Sequence, residues 1–377
     1  MQIYVPKDSV TNEARVAIIS STVDKLRKLD AQWIIEKGLG QSIQQEDDAY
    51  IQAGAALSDD PDTSLGLADI ILRLNPPSAD EVKRLKEGCI HISYMDPFNQ
   101  QDLVEAFAAA KVSAISMEMI PRTTLAQKMD ALSSQANLAG YVAVIVATEH
   151  LNQILPMMMT PAGTLTPSRV FVIGAGVAGL QAIATAKRLG ARVEAFDTRP
   201  VVKEQVQSLG AKFIKVDLGK TGQTKDGYAK ELTEEQLQKQ REAMTKACAN
   251  ADVVITTAQL FGRKAPLIIN HEIIKQMKPG SIIVDLAVES GGNVEGSKLN
   301  EIVNVNGVSI IGFVNLPGRV PIHASQMYSS NLGNLVEHFW DQETKTFNVN
   351  IEDEIIQGCL ITHNGEIVNE RIRKEGH

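Results

Sequence analysis

Six consecutive residues in the middle of the chain carry glycines at a spacing that lets a backbone wrap a phosphate group. The run is GAGVAG at residues 174–179; it follows the apolar residues 170–173 and opens the helical pattern 180–189. The first glycine permits a tight turn, the second lets the backbone approach a pyrophosphate, and the third lets helix and strand pack closely. The N–H groups and dipole of the helix would then hold the phosphates. The spacing predicts a dinucleotide-binding turn, and a glycine-rich surface turn is the alternative.

An acidic residue follows the glycine run at the distance expected for a nucleotide ribose. Asp197 comes directly after the next apolar stretch, residues 192–196, about twenty residues further on. A carboxylate at that strand tip accepts hydrogen bonds from ribose hydroxyls and repels a 2′-phosphate, which favours NAD over NADP. Arg199 argues the other way, because an arginine can bind a 2′-phosphate. We give Asp197 more weight, since it lies at the strand tip itself.

A second group of polar residues precedes and enters a long helical pattern. Arg122 comes first, and the others are Gln127, Asp130, Ser133 and Ser134. Steps of three and four residues would place Gln127, Asp130 and Ser134 on one face of a helix. Such a face could hydrogen-bond a nicotinamide ribose and carboxamide. The same residues also fit a helix-capping box and an ordinary Arg122–Asp130 ion pair, so both interpretations stay open at this point.

The elements that position these residues must come from a chain long enough for two domains. At 377 residues the chain exceeds the usual size of one hydrophobic core. The hydrophobic fraction of 44% and the charged fraction of 22% are those of ordinary globular proteins. Lys and Arg total 37 against 45 Asp and Glu, a net charge of −8. An acidic surface repels phosphate backbones, which argues against a nucleic-acid partner.

Cysteine usage and apolar run lengths limit the setting of the protein. Cys89, Cys248 and Cys359 are too few and too scattered for a disulfide framework or a zinc site, so we expect no metal and a reducing, cytoplasmic setting. Residues 1–7 resemble a strand rather than a secretory leader. No window approaches the roughly 18 consecutive apolar residues of a membrane span, so we expect no direct membrane insertion.

Short apolar stretches alternate with helical patterns along the chain. Strands are predicted at residues 3–6, 32–35, 70–74, 89–94, 112–117, 170–173, 192–196, 212–215, 253–256, 281–285 and 308–312. Helices are predicted at residues 22–29, 80–86, 101–110, 124–151, 180–189, 202–209 and 322–340. The alternation predicts an α/β fold with two Rossmann-like, doubly wound parallel-sheet domains joined by long helices. We expect residues 1–137 and 320–377 to form the first domain and residues 138–319 the second.

Three segments depart from this alternation. Residues 156–167 predict a Pro/Thr/Gly loop, whose three consecutive methionines, Met157 to Met159, we interpret as gap-filling core residues. Residues 217–239 form a polar stretch that interrupts the rhythm of strands. After residue 340 the chain becomes a polar tail, which we expect to complete the first domain.

Several segments resemble one known family closely. They are RTTLAQKMDALSS at 122–134, PMMMT at 156–160, GAGVAGLQA at 174–182, FDTRP at 196–200 and VDLAVESGGN at 284–293. Together they resemble the proton-translocating nicotinamide nucleotide transhydrogenases, within the alanine dehydrogenase/transhydrogenase superfamily. The similarity runs from residue 1 to about residue 340, and residues 122–134 are its most specific portion. It is a resemblance to the peripheral, NAD(H)-binding component, made as a separate subunit.

The resemblance implies cofactors, partners and site residues. NAD(H) bound here would exchange hydride directly with NADP(H) held on a different subunit, and membrane-spanning subunits would couple the exchange to proton movement. The chain would be a homodimer, peripheral to the inner (plasma) membrane. The nicotinamide end would be fixed by Arg122, Gln127, Asp130 and Ser133. The rest of the nucleotide would contact Gly174, Ala175, Gly176, Val177, Ala178, Gly179, Asp197, Thr198, Arg199, Tyr228, Thr257 and Ala258.

Three features remain open within this resemblance. The stretch around Tyr228 resembles the family's mobile loop, which would close over bound nucleotide, but a solvated surface loop fits it equally well. Residues 256–262 lack the Leu-Ile-Pro that the family pattern places after Ala258, so we expect a differently shaped loop there. The tail after residue 340 matches no motif.

Alanine dehydrogenases share the two-domain layout and are the alternative enzyme class. Residues 72–76 contain no lysine where those enzymes bind substrate, His91 stands one position from their catalytic histidine, and Glu289 replaces their aspartate. These departures favour the transhydrogenase. A nucleotide sensor without chemistry is the third interpretation, and the polar residues at 122–130 argue against it, since a sensor need not orient the nicotinamide.

Overall fold

Two units, each with its own sheet, make up the chain. The computed structural model describes residues 1–216 and 233–375. Unit 1 comprises Met1–Gln135 and Gly318–His377, and unit 2 comprises Ala136–Pro317. Tyr228, for which the sequence predicts a loop over the nucleotide, lies outside the described residues.

The N-terminal segment of unit 1 is a parallel sheet with helices between its strands. The strands are β1 (Gln2–Val5), β2 (Gln32–Glu36), β3 (Ala56–Ser58), β4 (Ile70–Leu72), β5 (Ile90–Ser93) and β6 (Ser113–Ser116). The helices are α1 (Ser20–Leu26), α2 (Asp47–Gln52), α3 (Pro61–Leu67), α4 (Ala79–Val82) and α5 (Gln101–Ala109). The strands pair in the order β3-β2-β1-β4-β5-β6, the order of a Rossmann sheet, and every pair is parallel. Strands β4 to β6 are buried along their whole length, as expected where helices cover both faces of a parallel sheet.

Unit 2 repeats this topology with a second sheet. Its helices are α6 (Ala131–His150, which begins in unit 1), α7 (Val177–Arg188), α8 (Lys203–Ser208), α9 (Glu234–Asn250) and α10 (His271–Ile274). Its strands are β7 (Met158–Thr160), β8 (Gly163–Leu165), β9 (Arg169–Ile173), β10 (Arg192–Phe196), β11 (Lys212–Phe213), β12 (Val253–Thr256), β13 (Ile282–Asp285), β14 (Ile302–Val305) and β15 (Val308–Ile311). The main sheet has the order β11-β10-β9-β12-β13-β15-β14, with only β14 antiparallel to its neighbour.

The core of unit 2 explains why this sequence forms a covered sheet. Phe171, Val254 and Ile283 from neighbouring strands pack against Met244 of α9 and Ile274 of α10, and all five are buried. Apolar runs in the strands and an apolar stripe on each helix are the pattern that a doubly wound sheet requires. The α/β fold with two doubly wound sheets, predicted from the sequence, is confirmed.

The C-terminal residues return to unit 1 and extend its sheet. They form α11 (Pro321–His338), β16 (Trp340–Asp341), β17 (Thr346–Phe347), α12 (Glu354–Cys359), β18 (Leu360–His363), β19 (Glu366–Ile367) and α13 (Glu370–Glu375). Strand β18 pairs antiparallel with β6, and β19 with β18. The polar tail therefore supplies edge strands that the sequence pattern does not predict.

The long helix predicted over residues 124–151 is wrong at its start. Residues Gln127–Met129 form a short 3-10 turn, and the α-helix begins only at Ala131. Asp130 lies between them in an extended conformation, with ψ of 90°. Its carboxylate accepts hydrogen bonds from the Ser133 N–H at 2.9 Å and the Ser133 hydroxyl at 2.6 Å, which caps α6. The prediction of one helical face carrying Gln127, Asp130 and Ser134 is therefore wrong.

The methionine-rich loop is also different from the prediction. Residues 158–165 form a hairpin of β7 and β8, and Met157, Met158 and Met159 are exposed, at 59%, 47% and 74%. The interpretation of these methionines as core residues is wrong. Alternating Thr and Gly residues favour a two-stranded ribbon, and such a ribbon has no buried side of its own.

Helix α6 is, within the described residues, the one helix long and apolar enough to cross a membrane. Within unit 2 it buries Val142, Ala143, Val146 and Ala147. Of its most apolar 18-residue window, 44% is buried inside the protein. A core helix of a folded domain satisfies the same criteria of length and composition.

We expect the C-terminal strand to contribute strongly to the stability of unit 1. Ile361 in β18 is 0% exposed, so Ile361→Ala leaves a cavity beside β6 and should lower the free energy of unfolding by about 2–5 kcal/mol in urea titration. Ile351→Ala is the matched control, because Ile351 is 55% exposed and its truncation should change stability by less than about 0.5 kcal/mol. Equal stability of the two variants would contradict the role assigned to β18.

Candidate dinucleotide-binding site

The glycine turn lies where β9 ends and α7 begins, at the carboxyl edge of the unit 2 sheet. Gly174 has a φ of +94°, and a Cβ on it would lie 2.5 Å from the Thr257 hydroxyl oxygen. A Cβ on Gly179 would lie 1.9 Å from the Gly174 carbonyl oxygen. Neither position admits a side chain, so the first turn of α7 packs directly on the end of β9. These are the features that a pyrophosphate-binding turn requires.

Helix α7 begins with amide groups available to an anion. Gly176 is its N-cap and makes no side-chain capping bond, and the Leu180 N–H donates to the Gly176 carbonyl at 2.8 Å. The amides of Val177, Ala178 and Gly179 thus belong to the first turn, whose N–H groups have no partner within the helix. A dinucleotide phosphate fits this end of the helix by charge and by hydrogen bonding.

Asp197 lies at the tip of β10 and connects three parts of the turn. Its carboxylate accepts the Ala175 N–H at 2.7 Å and the Arg199 N–H at 2.8 Å. The Arg199 guanidinium also binds it in bidentate fashion, through Nε at 2.9 Å and Nη2 at 2.7 Å. The side chain of Asp197 is 5% exposed and that of Arg199 15%. The predicted ribose acceptor therefore pairs with the arginine that, in the sequence, argued for a 2′-phosphate.

The tip of β12 forms the opposite side of the glycine turn. The Thr257 hydroxyl donates to the Gly174 carbonyl at 3.1 Å, and the Thr257 N–H donates to the Ile173 carbonyl at 2.9 Å. Ala258 follows, half-buried, and Thr198 is half-buried beside Asp197 on the β10 side. The structure thus brings the cofactor residues predicted within unit 2 to one edge of one sheet, for all those it describes.

The residues predicted for the nicotinamide end lie together in unit 1. Arg122 Nε is 3.9 Å from Asp130 Oδ2, and Asp130 caps Ser133. Arg122 and Gln127 are exposed, whereas Asp130 and Ser133 are half-buried. The ion pair and the helix cap are thus both present, and the two most exposed side chains face solvent in a position to meet a ligand.

Sequence reasoning missed the residues that support this segment. Asn331 in α11 donates from Nδ2 to the Lys128 carbonyl at 3.0 Å, and its Oδ1 accepts the Ser134 hydroxyl at 2.7 Å. Asn334 donates to the same Lys128 carbonyl at 3.1 Å. These asparagines are about 200 positions away in sequence, and no local spacing signals the contact. In unit 2, Asp285 and Asn293 are buried polar residues within the family-like segment 284–293.

His91 has the surroundings of a core residue. It is 0% exposed, its ring lies 5.1 Å from that of Phe107, and both ring nitrogens lack a partner among the described residues. Burial, together with the nearby Arg73 charge, lowers the pKa of His91 well below its usual value. A neutral, fully buried imidazole cannot serve as a substrate-contacting acid. Within the described ranges, no group of three or more His, Cys, Asp and Glu side chains is arranged to hold a metal ion.

The two sheets and the glycine turn define a two-domain dinucleotide-binding protein of the Rossmann class. Residues 4–139 match the family model described as "Alanine dehydrogenase/PNT, N-terminal domain", and residues 143–370 match "Alanine dehydrogenase/PNT, C-terminal domain". The chain belongs to the alanine dehydrogenase/PNT family.

Within this family the transhydrogenases are the more similar branch. The chain is 45% identical to the first portion of NAD(P) transhydrogenase subunit alpha of Rhodospirillum rubrum, which is a separate chain, with 100% of both chains covered. A crystal structure of transhydrogenase from Sinorhizobium meliloti is 40% identical, covers 98% of this chain and 100% of its own, and has a TM-score of 0.85. Alanine dehydrogenase of Mycolicibacterium smegmatis is 25% identical, with 100% of this chain and 96% of that enzyme covered. The family resemblance, the enzyme class of a transhydrogenase component and the cofactors NAD(H) and NADP(H), all predicted from the sequence, are confirmed.

Asp197→Asn should alter the choice of nucleotide. The neutral amide no longer holds the Arg199 guanidinium as a carboxylate does, so Arg199 can turn to a 2′-phosphate. We expect the NADH dissociation constant to rise about tenfold and the preference for NADH over NADPH to narrow, as measured by fluorescence titration.

Glu194→Gln is the control for this substitution. Glu194 lies on the same strand and pairs with Lys212 at 2.7 Å on the surface, so its loss should leave both dissociation constants unchanged. If Asp197→Asn behaves like this control, Asp197 does not contact the ribose.

Proposed function

We propose that this chain binds NAD(H) at the glycine turn of unit 2 and transfers hydride directly between NADH and NADP⁺ bound on a partner subunit. The observation that carries the proposal is the turn itself, in which Gly174 and Gly179 leave no room for a side chain and Asp197 holds the Ala175 amide. The similarity to transhydrogenase α subunits selects this reaction among those that Rossmann proteins perform.

The site residues divide into two groups with different roles in this proposal. The adenosine ribose and the phosphates are bound at residues 174–179, by Asp197 to Arg199 and beside Thr257 and Ala258. Thr198 borders the ribose, and Arg199 keeps Asp197 charged and oriented. Asp197 supports NAD(H) rather than NADP(H), because a carboxylate repels a 2′-phosphate. Tyr228 belongs to the same proposal through the family resemblance alone.

The second group serves the nicotinamide end. Arg122, Gln127, Asp130 and Ser133 offer a guanidinium, an amide, a carboxylate and a hydroxyl, which suit the carboxamide and ribose of the nicotinamide. Hydride transfer between two nicotinamides needs no general acid or base, so these groups act by orienting the ring and excluding water. The capped start of α6 supports this role, since it fixes Asp130 and Ser133 against each other.

The proposal extends to partners and location. The Rhodospirillum rubrum relative is named as one portion of an α subunit, which implies further subunits in that enzyme. We infer that NADP(H)-binding and membrane-spanning subunits accompany this chain, couple hydride transfer to proton translocation and hold it at the cytoplasmic face of the inner (plasma) membrane.

Gln127→Asn should separate transfer from binding. The shorter side chain keeps the amide but withdraws it from the nicotinamide, so the rate of NADP⁺-analogue reduction by NADH should fall at least about tenfold, with less than about a twofold change in the NADH dissociation constant. The rate is measured by stopped flow with an NADP(H)-loaded partner subunit, and binding by titration of the chain alone. Gln52→Asn, at an exposed position of α2, is the matched control.

The same assay distinguishes the alternative functions. L-Alanine-dependent NAD⁺ reduction by the chain alone would establish an amino-acid dehydrogenase, and tight NADH binding without turnover under either condition would establish a sensor. Equal losses of rate and affinity in Gln127→Asn would make Gln127 a general binding contact.

We also propose a homodimer. The hairpin of β7 and β8 exposes Met157, Met158, Met159 and Leu165 (55%), an apolar surface of the kind that protein interfaces cover. Met159→Asp should shift the chain toward monomer in sedimentation velocity experiments, whereas Leu299→Asp, at another exposed apolar position of unit 2, should not. A monomeric wild-type chain, or a dimer indifferent to Met159→Asp, would contradict this assignment.

A further inference from the structure

Two fully buried polar residues lie next to the nucleotide edge of the unit 2 sheet without belonging to the predicted site. Asp285 ends β13 and is 0% exposed, and Asn293 follows after a short loop and is also 0% exposed. Burial of a carboxylate and an amide is unfavourable unless their hydrogen bonds are satisfied. We name this pair the Asp285–Asn293 brace.

Asn293 holds the backbone of Ala258 from both sides. Its Oδ1 accepts the Ala258 N–H at 3.1 Å, and its Nδ2 donates to the Ala258 carbonyl at 2.8 Å. Nδ2 also donates to the Pro266 carbonyl at 2.8 Å. One side chain therefore pairs with Ala258 as a neighbouring strand would and fixes where the chain goes after β12.

Asp285 in turn fixes Asn293 and the end of β12. Its Oδ1 accepts the Thr256 hydroxyl at 3.1 Å and the Ala287 N–H at 3.0 Å. The Asn293 N–H lies 3.1 Å from Oδ2, and the Val294 N–H 3.3 Å from it. A buried carboxylate that accepts several N–H and O–H bonds is a rigid connection, because each donor would be costly to leave unpaired.

The brace reaches the glycine turn through one further residue. Thr257 lies between the two residues of β12 and its loop that the brace holds, Thr256 and Ala258. The Thr257 hydroxyl donates to the Gly174 carbonyl at 3.1 Å. The Ala258 nitrogen is 3.4 Å from where a Cβ of Gly174 would lie. Any shift of the Ala258 backbone would therefore change the space on that side of the turn.

We propose that Asn293, held by Asp285, is a positioning residue for NAD(H): it sets the β12 tip against the glycine turn and so fixes the width of the nucleotide cleft without contacting the nucleotide. This inference rests on the proposed NAD(H) site. It accounts for a polar pair in a place where apolar residues would fill the same space.

The test is NADH binding to the full-length chain in isothermal titration. Asn293→Ala leaves the Asn293 backbone bond to Asp285 intact and removes the three bonds to Ala258 and Pro266. We expect the NADH dissociation constant to rise about tenfold. Thr257→Val provides a second test that leaves the brace untouched and removes only the last contact to Gly174; it should weaken NADH binding in the same direction.

A matched destabilising control separates positioning from general stability. Val308→Ala creates a cavity in the same core, at the amino end of β15 and thus at the opposite edge of the sheet. It should lower the melting temperature and leave the NADH dissociation constant unchanged when binding is measured well below that temperature.

Each outcome decides one element of the inference. Wild-type chain that fails to bind NADH would overturn the proposed function. Wild-type binding with unchanged affinity in Asn293→Ala would overturn the brace, as would an equal loss of affinity in Val308→Ala. If Asn293→Ala does not fold, unchanged affinity in Thr257→Val would overturn the brace in the same way.

Discussion

The close approach of α7 to the end of β9 is the constraint on which the nucleotide edge of unit 2 depends. Where α7 enters, the Gly179 Cα lies so near the Gly174 carbonyl that a Cβ would come within 1.9 Å of that oxygen. Because helix and strand meet there without side chains, the first-turn amides point out over the sheet edge. The Asp197 carboxylate and the Thr257 hydroxyl then fasten the turn to the strands on either side. Relaxing the contact would misplace every group that could face a phosphate.

Much of this arrangement could be predicted from the residues, because the signals are local. Buried strands such as β12 are short apolar runs, and the glycine spacing identifies the turn between β9 and α7. The predicted order of a doubly wound sheet follows from strands alternating with helices. The portion of the fold that lacked a signal is the C-terminal return, since β18 is only four residues long and its partner β6 is some 250 positions earlier.

The errors have physical causes as well. A helical pattern over residues 124–151 ignores that the carboxylate of Asp130 competes for the backbone and starts a helix instead of continuing one. The methionines of the hairpin are apolar but have no core to enter. In the candidate site, the residues that make direct contacts were accessible to motif reasoning. Asn293 and Asn331, which act through other residues, could be recognised only from their three-dimensional contacts.

Unit 1 shows how one topology serves two purposes. Its strand order repeats that of unit 2, yet no glycine turn follows β1, and the chain runs through Glu13 and Arg15 before α1. Burial opposes the ionisation of Glu13, but the hydrogen bonds and charge of Arg15 prevail and lower the pKa of Glu13. Arg15 also donates to Gln135 at 3.0 Å, beside the start of α6. The switch region of this sheet is thus occupied by its own side chains, and unit 1 contributes loops rather than a second cleft.

The bidentate Asp197–Arg199 pair has a consequence for how the proposed site distinguishes its ligands. A carboxylate that already holds a guanidinium and two amides gains little from ribose hydroxyls, since each new bond replaces an old one. A phosphate at the same place would have to compete with Asp197 for a cation that is already neutralised. The pair therefore works as a gatekeeper more than as an anchor: tight binding must come from the phosphates and the other ring contacts, while the rejection of the wrong nucleotide is built in before any ligand arrives.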